Sequence, residues 1–421
     1  MEVVVTGMGI VSSIGNNVQE FKESLLKGCS GIEYTSDIMV PTHVCAGIKS
    51  FNEEDEFAKY SYIGNQEVLD RIKNSTRRTS KVIRTIVSTA FEAWVNADLH
   101  EVSLDPERMG LVIGGNNLTQ GYAYDLYEEY QQNPSYLTPS YALSFMDTNY
   151  VGILSEIFDI RGEGFTLGAA SASGNAAIIK GMQMLKSGDL DICMISAPYA
   201  QLSPMELQAF YNVGALGGEK YKDSPKLACR PFDKDHEGFI YGEASGTIIL
   251  ETLDSALARQ APIYGHVLGG SFQLDANRLA NPSVEGEVRV MRKAMKQAGI
   301  STKSIDYINT HGSSSPLGDA TELQAIRSVF EGQTPEIWLN STKPLTGHCL
   351  YSAGLIESIA SLIQLNHDFL HPLLNLNSPI ETGFRFCAAS SMDFELKTVM
   401  NNSFGFSGIN TSIIFGKERL I

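Results

Sequence analysis

Apolar runs closed by glycine recur along the chain, as VVVTGMGIV at the start, MGLVIGG at 109–115, DICMISA at 191–197 and GTIILE at 246–251, with helical stretches between them. Continuous apolar runs of this length predict strands buried on both faces, and their alternation with helices predicts an α/β fold. After Ser255 the pattern restarts: IYGHVLGG, a helix around 288–299, the strand IDYINTHG at 305–312, another helix, and SIIFG at 412–416. Two halves of like organisation, 1–253 and 254–421, suggest a duplicated unit within one compact body. Between the halves there is no low-complexity linker. In the first half the small-residue turn TLGAASASGN (166–175) runs into AAIIKGMQMLKSGD, where Ile178, Met182 and Leu185 mark the apolar face of a helix.

The 421 residues, 43% hydrophobic and 19% charged, suit a folded soluble protein. Glu2 stands where a secretory leader carries Lys or Arg, and no apolar run nears the ~18 residues of a membrane helix, so a cytoplasmic protein without a membrane partner is expected. Six cysteines without a CxxC pair argue against a zinc site or a disulfide framework, and no metal is expected. Cys349 draws notice for its neighbour His348. The net charge of −16 disfavours nucleic acid, yet the run from Arg71 to Arg84 holds six basic residues, Arg71, Lys73, Arg77 and Arg78 among them, and no acidic one. Such a patch suits an acidic partner.

Four segments carry candidate chemistry. Ser171 lies at the mouth of a helix, where unpaired N–H groups create positive potential; it is either a plain N-cap or part of an oxyanion or nucleophile site. His311 closes a strand and opens into GSSSPLGD, with Glu322 on the helix beyond. Lys343 and His348 stand five residues apart in NSTKPLTGHCLYSAG. The segment NNSFGFSGINTSIIFG (401–416) is a Gly/aromatic turn before a strand, with Phe404 and Phe406. Taken singly, each also fits a structural role.

Together they resemble the β-ketoacyl carrier-protein synthases of the thiolase fold. The opening VVVTGMGIVSSIGN, CRPFDKDHEGFIYGEASGTIILE (229–251), THGSSSPLGD, STKPLTGHCLYSAG and NSFGFSGIN all fit that family, over nearly the whole chain. The resemblance implies two βαβαβαββ halves in a five-layered αβαβα body and a homodimer. It also implies that His311 and His348 bind a thioester carbonyl, supported by Lys343 and Glu322. The backbone N–H groups of Ser171 and Phe406 would form the oxyanion hole, Phe406 would gate the acyl pocket, and Ser313 and Ser315 would hold a phosphopantetheine arm. That arm arrives on the carrier protein, so no cofactor of the protein's own is implied. The basic run would dock the acidic carrier.

One position departs from the family: its nucleophilic Cys is matched by Ser171. A thiol near pKa 8.5 is partly thiolate at neutral pH, whereas a serine hydroxyl needs a dedicated base. The substitution should make acyl transfer poor and leaves the machinery that stabilises an enolate. The expected activity is decarboxylation of malonyl carrier protein to acetyl carrier protein. It is the departure seen in freestanding ketosynthase-like decarboxylases of polyketide clusters, including those that supply acetyl units for β-branching. The alternatives are a synthase working through an acyl-serine, a noncatalytic partner subunit, and an inert carrier-binding scaffold. Both noncatalytic alternatives sit poorly with a chain that keeps His311, His348 and Lys343.

Overall fold

The computed structural model describes every residue except 37, 60–62, 64, 65, 78, 333, 335 and 419–421. The first half contributes strands β1 (Val3–Ser12), β2 (Met109–Gly114), β3 (Gly164–Leu167), β4 (Ile192–Ala197) and β5 (Ala244–Thr252). The second contributes β6 (Gly265–Leu274), β7 (Tyr307–Asn309), β8 (Trp338–Asn340), β9 (Arg385–Phe386), β10 (Thr398–Gly405) and β11 (Ile409–Gly416). Every residue of β1, β2, β4 and β5 is buried, the physical reason for their largely apolar runs.

The first half-sheet has the order β1-β5-β4-β2-β3 and the second β6-β11-β10-β7-β8, with β9 added at its edge. In each, the first strand lies beside the fifth, then come the fourth, second and third. Directions repeat as well. The first two pairings of each half-sheet are antiparallel and the next two parallel. The half-sheets join where Val4 and Val5 of β1 pair with His266 and Gly265 of β6.

Five helices complete the layers: α1 (Lys81–Asn96), α2 (Ser173–Ser187), α3 (Val284–Ala298), α4 (Pro316–Val329) and α5 (Ala353–His367). Helix α1 covers β1 and β5 from outside, and α3 covers β6 and β11 with α4 alongside. Between the half-sheets lie α2 and α5, packed on each other and buried over most of their length. A helix apolar all round belongs in such a central layer. Their side chains, including Ile178, Leu185, Leu355 and Ile359, share one core with Ile248 and Ile413 of the two half-sheets. The layering is therefore αβαβα, as expected of the thiolase fold.

The two central helices cross near their N-termini on a pair of glycines. A Cβ on Gly174 would lie 2.4 Å from the Leu355 nitrogen, and one on Gly354 would lie 2.9 Å from the Asn175 nitrogen. Only bare Cα atoms allow that approach. Directly beneath, the Asn401 amide of β10 donates to Asn175 Oδ1 (3.1 Å), Gly354 O (3.0 Å) and Ser358 Oγ (2.8 Å). These bonds tie both helices to the second half-sheet. Among the described residues no helix is long and apolar enough to cross a membrane.

Candidate active site

The turn between β3 and α2 places Ser171. Ala170 adopts a left-handed backbone (φ 47°), and one 3-10 turn, Ala170–Ala172, precedes the helix proper. Ser171 is not the cap of α2. The hydroxyl of Ser173 accepts from the Ala169 amide (2.8 Å) and donates to the Ala170 carbonyl (2.7 Å), closing the turn. Left-handed geometry costs a non-glycine residue about 1–2 kcal/mol. Strand β10 helps hold it: Ser403 Oγ donates to the Ser171 carbonyl (3.0 Å), and Gly405 lies so close that a Cβ there would reach 3.3 Å from the Ser171 nitrogen. Freed from capping, the Ser171 side chain is half-buried and lines a cavity of about 410 Å³. Among the described residues its hydroxyl makes no hydrogen bond, to His311, to His348 or to any other group, and His311 Nδ1 is without a partner.

Both histidines line the same cavity. Their rings meet edge to face, 5.3 Å between centroids at 79°. His311 follows β7, and its loop is held from behind at three points. The Glu322 carboxylate of α4 accepts from the His311 and Gly312 amides (2.8 Å each), and Ser341 Oγ donates to Gly312 O (2.8 Å). Lys343, fully buried, donates to the His311 carbonyl and forms an ion pair with Glu357 of α5. Glu322 thus grips backbone amides, while the ammonium's carboxylate partner is Glu357. Sequence reasoning missed Glu357, although a lone acid in the apolar stretch AGLIESIASL is the signal that could have found it.

Burial pushes the His348 pKa well below the usual imidazole value, and the Lys343 charge pushes the same way. Burial, then Lys343, then His348 do the same to His311. Both rings are neutral near pH 7. The Leu350 amide donates to His348 Nδ1 (3.2 Å), which leaves the proton on Nε2 and makes that nitrogen the donor. Phe239 packs on the His348 ring (5.2 Å) and Phe404 on His311 (5.8 Å), so apolar surface surrounds the pair. Burial raises Glu322 and Glu357 to about 7 each, against the lowering effect of their N–H and ammonium partners.

The β10–β11 hairpin turns at Phe406, whose ring lies against Phe210 (6.2 Å) and is 39% exposed at the cavity wall. Its backbone amide makes no hydrogen bond to a described residue. Ser313 and Ser315 also line the cavity, Ser315 at the N-terminal end of α4, where its side chain makes no capping bond. Ser171, His311, His348, Phe406, Ser313 and Ser315 therefore share one cavity, with Lys343 and Glu322 behind it.

The basic run is not part of this cavity. Arg71 pairs with Glu67 and donates to the carbonyls of Glu156 and Ile157; Arg84 pairs with Glu53. These acids lie outside 71–84 in sequence, so a count within the run could not see them. Lys73 and Arg77 are exposed, and Arg78 lies outside the described residues. All six cysteines are free. Cys349 is buried and its thiol is pushed up to about 12, chiefly by burial, which makes it unreactive.

The arrangement provides a neutral N–H donor and a second neutral imidazole around one apolar cavity, beside a hydroxyl with no base. It can stabilise negative charge growing on a thioester oxygen. It lacks the hydrogen-bonded nucleophile–base pair that an activated serine requires.

Residues 1–256 match the family described as beta-ketoacyl synthase, N-terminal domain, and residues 264–377 match beta-ketoacyl synthase, C-terminal domain. Among curated proteins, the chain is 38% identical to the polyketide biosynthesis malonyl-ACP decarboxylase PksF of Bacillus subtilis, over 98% of this chain and 95% of that one. It is 32% identical to 3-oxoacyl-[acyl-carrier-protein] synthase 1 of Escherichia coli, over 99% of both. Among solved structures, the ishigamide ketosynthase/chain length factor superposes with a TM-score of 0.85 at 26% identity, covering 99% of both chains. A type II polyketide ketosynthase solved with its acyl-carrier protein gives 0.86 at 24% identity, again over 99% of both.

Proposed function

Because the chain belongs to the β-ketoacyl synthase family, we propose that it removes CO2 from a malonyl thioester on an acyl carrier protein and releases acetyl carrier protein. One observation carries this reading: Ser171 stands where the family's nucleophile is expected, with no base hydrogen-bonded to it, while the two neutral histidines and their buried supports are intact. The similarity to a malonyl-ACP decarboxylase supports it.

The phosphopantetheine arm passes the hydroxyls of Ser313 and Ser315, and the thioester oxygen faces His311 and His348. Cleavage of the carboxylate C–C bond sends its electrons into an enolate. The growing oxyanion is met by the Nε2–H of His348 and by His311, and each such donor contributes about 3–4 kcal/mol to the barrier reduction. The amides of Ser171 and Phe406 supply further donors, and the Ser171 hydroxyl binds the thioester or a water. Phe406 admits the acyl end. With no acyl group on Ser171 to attack, the enolate takes a proton. Lys343, Glu357 and Glu322 position the histidine loops and do not touch substrate. The exposed Lys73 and Arg77, with Arg78, dock the acidic carrier. The homodimer forms at the open β3 edge, with exposed apolar groups such as Tyr127, Leu143 and Phe145 buried between subunits.

Intact-mass spectrometry of malonyl-loaded carrier protein, alone and with an acyl-loaded carrier, tests the reading. Acetyl carrier with an unmodified enzyme is the expected result. An acylated Ser171 with a ketoacyl product makes the protein a synthase, and binding without reaction makes it a scaffold.

A further inference from the structure

Glu287, the fourth residue of α3, lines the same cavity as Ser171, His311 and His348, yet it is only 1% exposed. Its carboxyl makes no hydrogen bond to any described residue, and Oε2 is wholly enclosed. Three more enclosed polar atoms lie beneath α3 without partners: Ser271 Oγ, Ser412 Oγ and Asn402 Oδ1. Ser271 and Ser412 are register partners across β6 and β11, and Ser412 and Asn402 across β11 and β10, so the three side chains share one face of the sheet. The Asn402 amide reaches Met291 Sδ of α3 (3.4 Å), which identifies that face as the one α3 covers. Buried polar groups without protein partners are commonly satisfied by ordered water. A carboxyl at a cavity wall, backed by such a strip, is built to hold a proton and to regain one.

Its charged surroundings favour the neutral acid. Glu322 of α4 and Asp275, just beyond β6, both oppose its ionisation, and burial does so more strongly. Arg289, two residues further along α3, is engaged with Asp275, as is the Asn410 amide of β11. His311 and His348, across the cavity, are neutral.

Decarboxylation leaves an enolate whose carbon must gain a proton, and no group in the mechanism above supplies it. We propose that Glu287 is the acid that protonates this carbon, an inference that rests on the decarboxylase reading. The C–CO2 bond breaks and its electron pair becomes the enolate double bond. That pair then takes the Glu287 proton, forming the methyl C–H bond and restoring the thioester carbonyl. Glu287 is left as a carboxylate and recovers a proton from solvent through the cavity it lines. The sum is one malonyl thioester carboxylate and one proton giving one acetyl thioester and CO2.

The test uses the full chain, malonyl-loaded carrier, and the variants Glu287→Gln and Glu287→Asp. If the wild-type protein forms no acetyl carrier, the decarboxylase reading itself fails, whatever Glu287 does. With an active wild type, Glu287→Gln is expected to lower kcat about a hundredfold with little change in KM, and Glu287→Asp to restore part of the rate. In mixed H2O and D2O the ratio of CH3 to CH2D in the acetyl product should differ between wild type and Glu287→Gln, because the ratio reports on the proton donor itself. A Glu287→Gln protein that matches the wild type in rate and isotope ratio overturns the proposal. Should that variant not fold, Glu287→Asp decides: a lowered rate with a changed isotope ratio supports the proposal, and a wild-type rate with a wild-type ratio overturns it.

Discussion

Lys343 and Glu357 form a buried ion pair behind the His311 loop, and the same ammonium donates to the His311 carbonyl. The pair joins α5 to the loop that follows β7, so a change in either residue is felt at the histidine. Glu357→Ala leaves the Lys343 ammonium buried without its counter-ion and is expected to destabilise the fold by about 3–5 kcal/mol. The double change Lys343→Met with Glu357→Leu, which removes both charges, should cost much less. Urea unfolding compares them, and equal losses in the two proteins would contradict the account.

His311→Ala and His348→Ala should each lower decarboxylation by about 10²–10³, the usual cost of an oxyanion donor, without weakening carrier binding. Single-turnover CO2 release, paired with a titration of the loaded carrier, separates the two effects. Full activity in either variant removes the proposed mechanism.

Ser171→Ala is expected to slow turnover only about two- to tenfold, the worth of one neutral hydrogen bond. The wild-type enzyme should carry no acyl adduct under any loading condition. A loss of a thousandfold, or an adduct at Ser171, would point to covalent catalysis.

The acid limb of the pH–rate profile follows from the imidazole environment. The neutral rings are the active form, and both folded pKa values are lowered well below the ordinary histidine value near 6.5 by burial and Lys343. Lowering the pH through 6.5 therefore leaves both rings neutral, although Glu322 and Glu357, at about 7, take up protons in that range. NMR titration of the two imidazoles separates these events, and ring protonation centred on pH 6.5 would contradict the account.

Charge reversal at Arg77 and Arg78 should raise KM for the carrier and change its salt dependence while leaving kcat intact. Steady-state rates at two ionic strengths measure this. An unaltered KM at both would move the docking surface elsewhere.

Much of this site was legible in the sequence through the family resemblance that joined its segments. Taken singly, His311, His348, Ser171, Phe406 and the Ser313/Ser315 pair sit in Gly- or Ser-rich stretches that suit structural roles as well. The strand pattern was legible from the residues themselves: burial on both faces favours near-continuous apolar runs. What stayed hidden depends on contacts distant in sequence. Glu357 shows as a lone acid in an apolar helix, but nothing local names its partner, which lies 14 residues away. Glu287 falls in the first turn of α3, where an acid suits the helix dipole, so nothing local reveals its burial. The basic run read as a free patch because Glu53 and Glu67, which neutralise Arg84 and Arg71, precede it.

The crossing of α2 and α5 on Gly174 and Gly354 brings two long helices together at their starting ends, within a few residues of Ser171 and His348. A third, α4, begins among the cavity residues Ser315 to Gly318. The peptide dipoles of all three add positive potential where an enolate would form in the proposed reaction. Unlike a side-chain cation, this contribution holds no exchangeable charge. It remains in place at every pH at which the chain is folded, and the loss of any one side chain in the cavity leaves it standing.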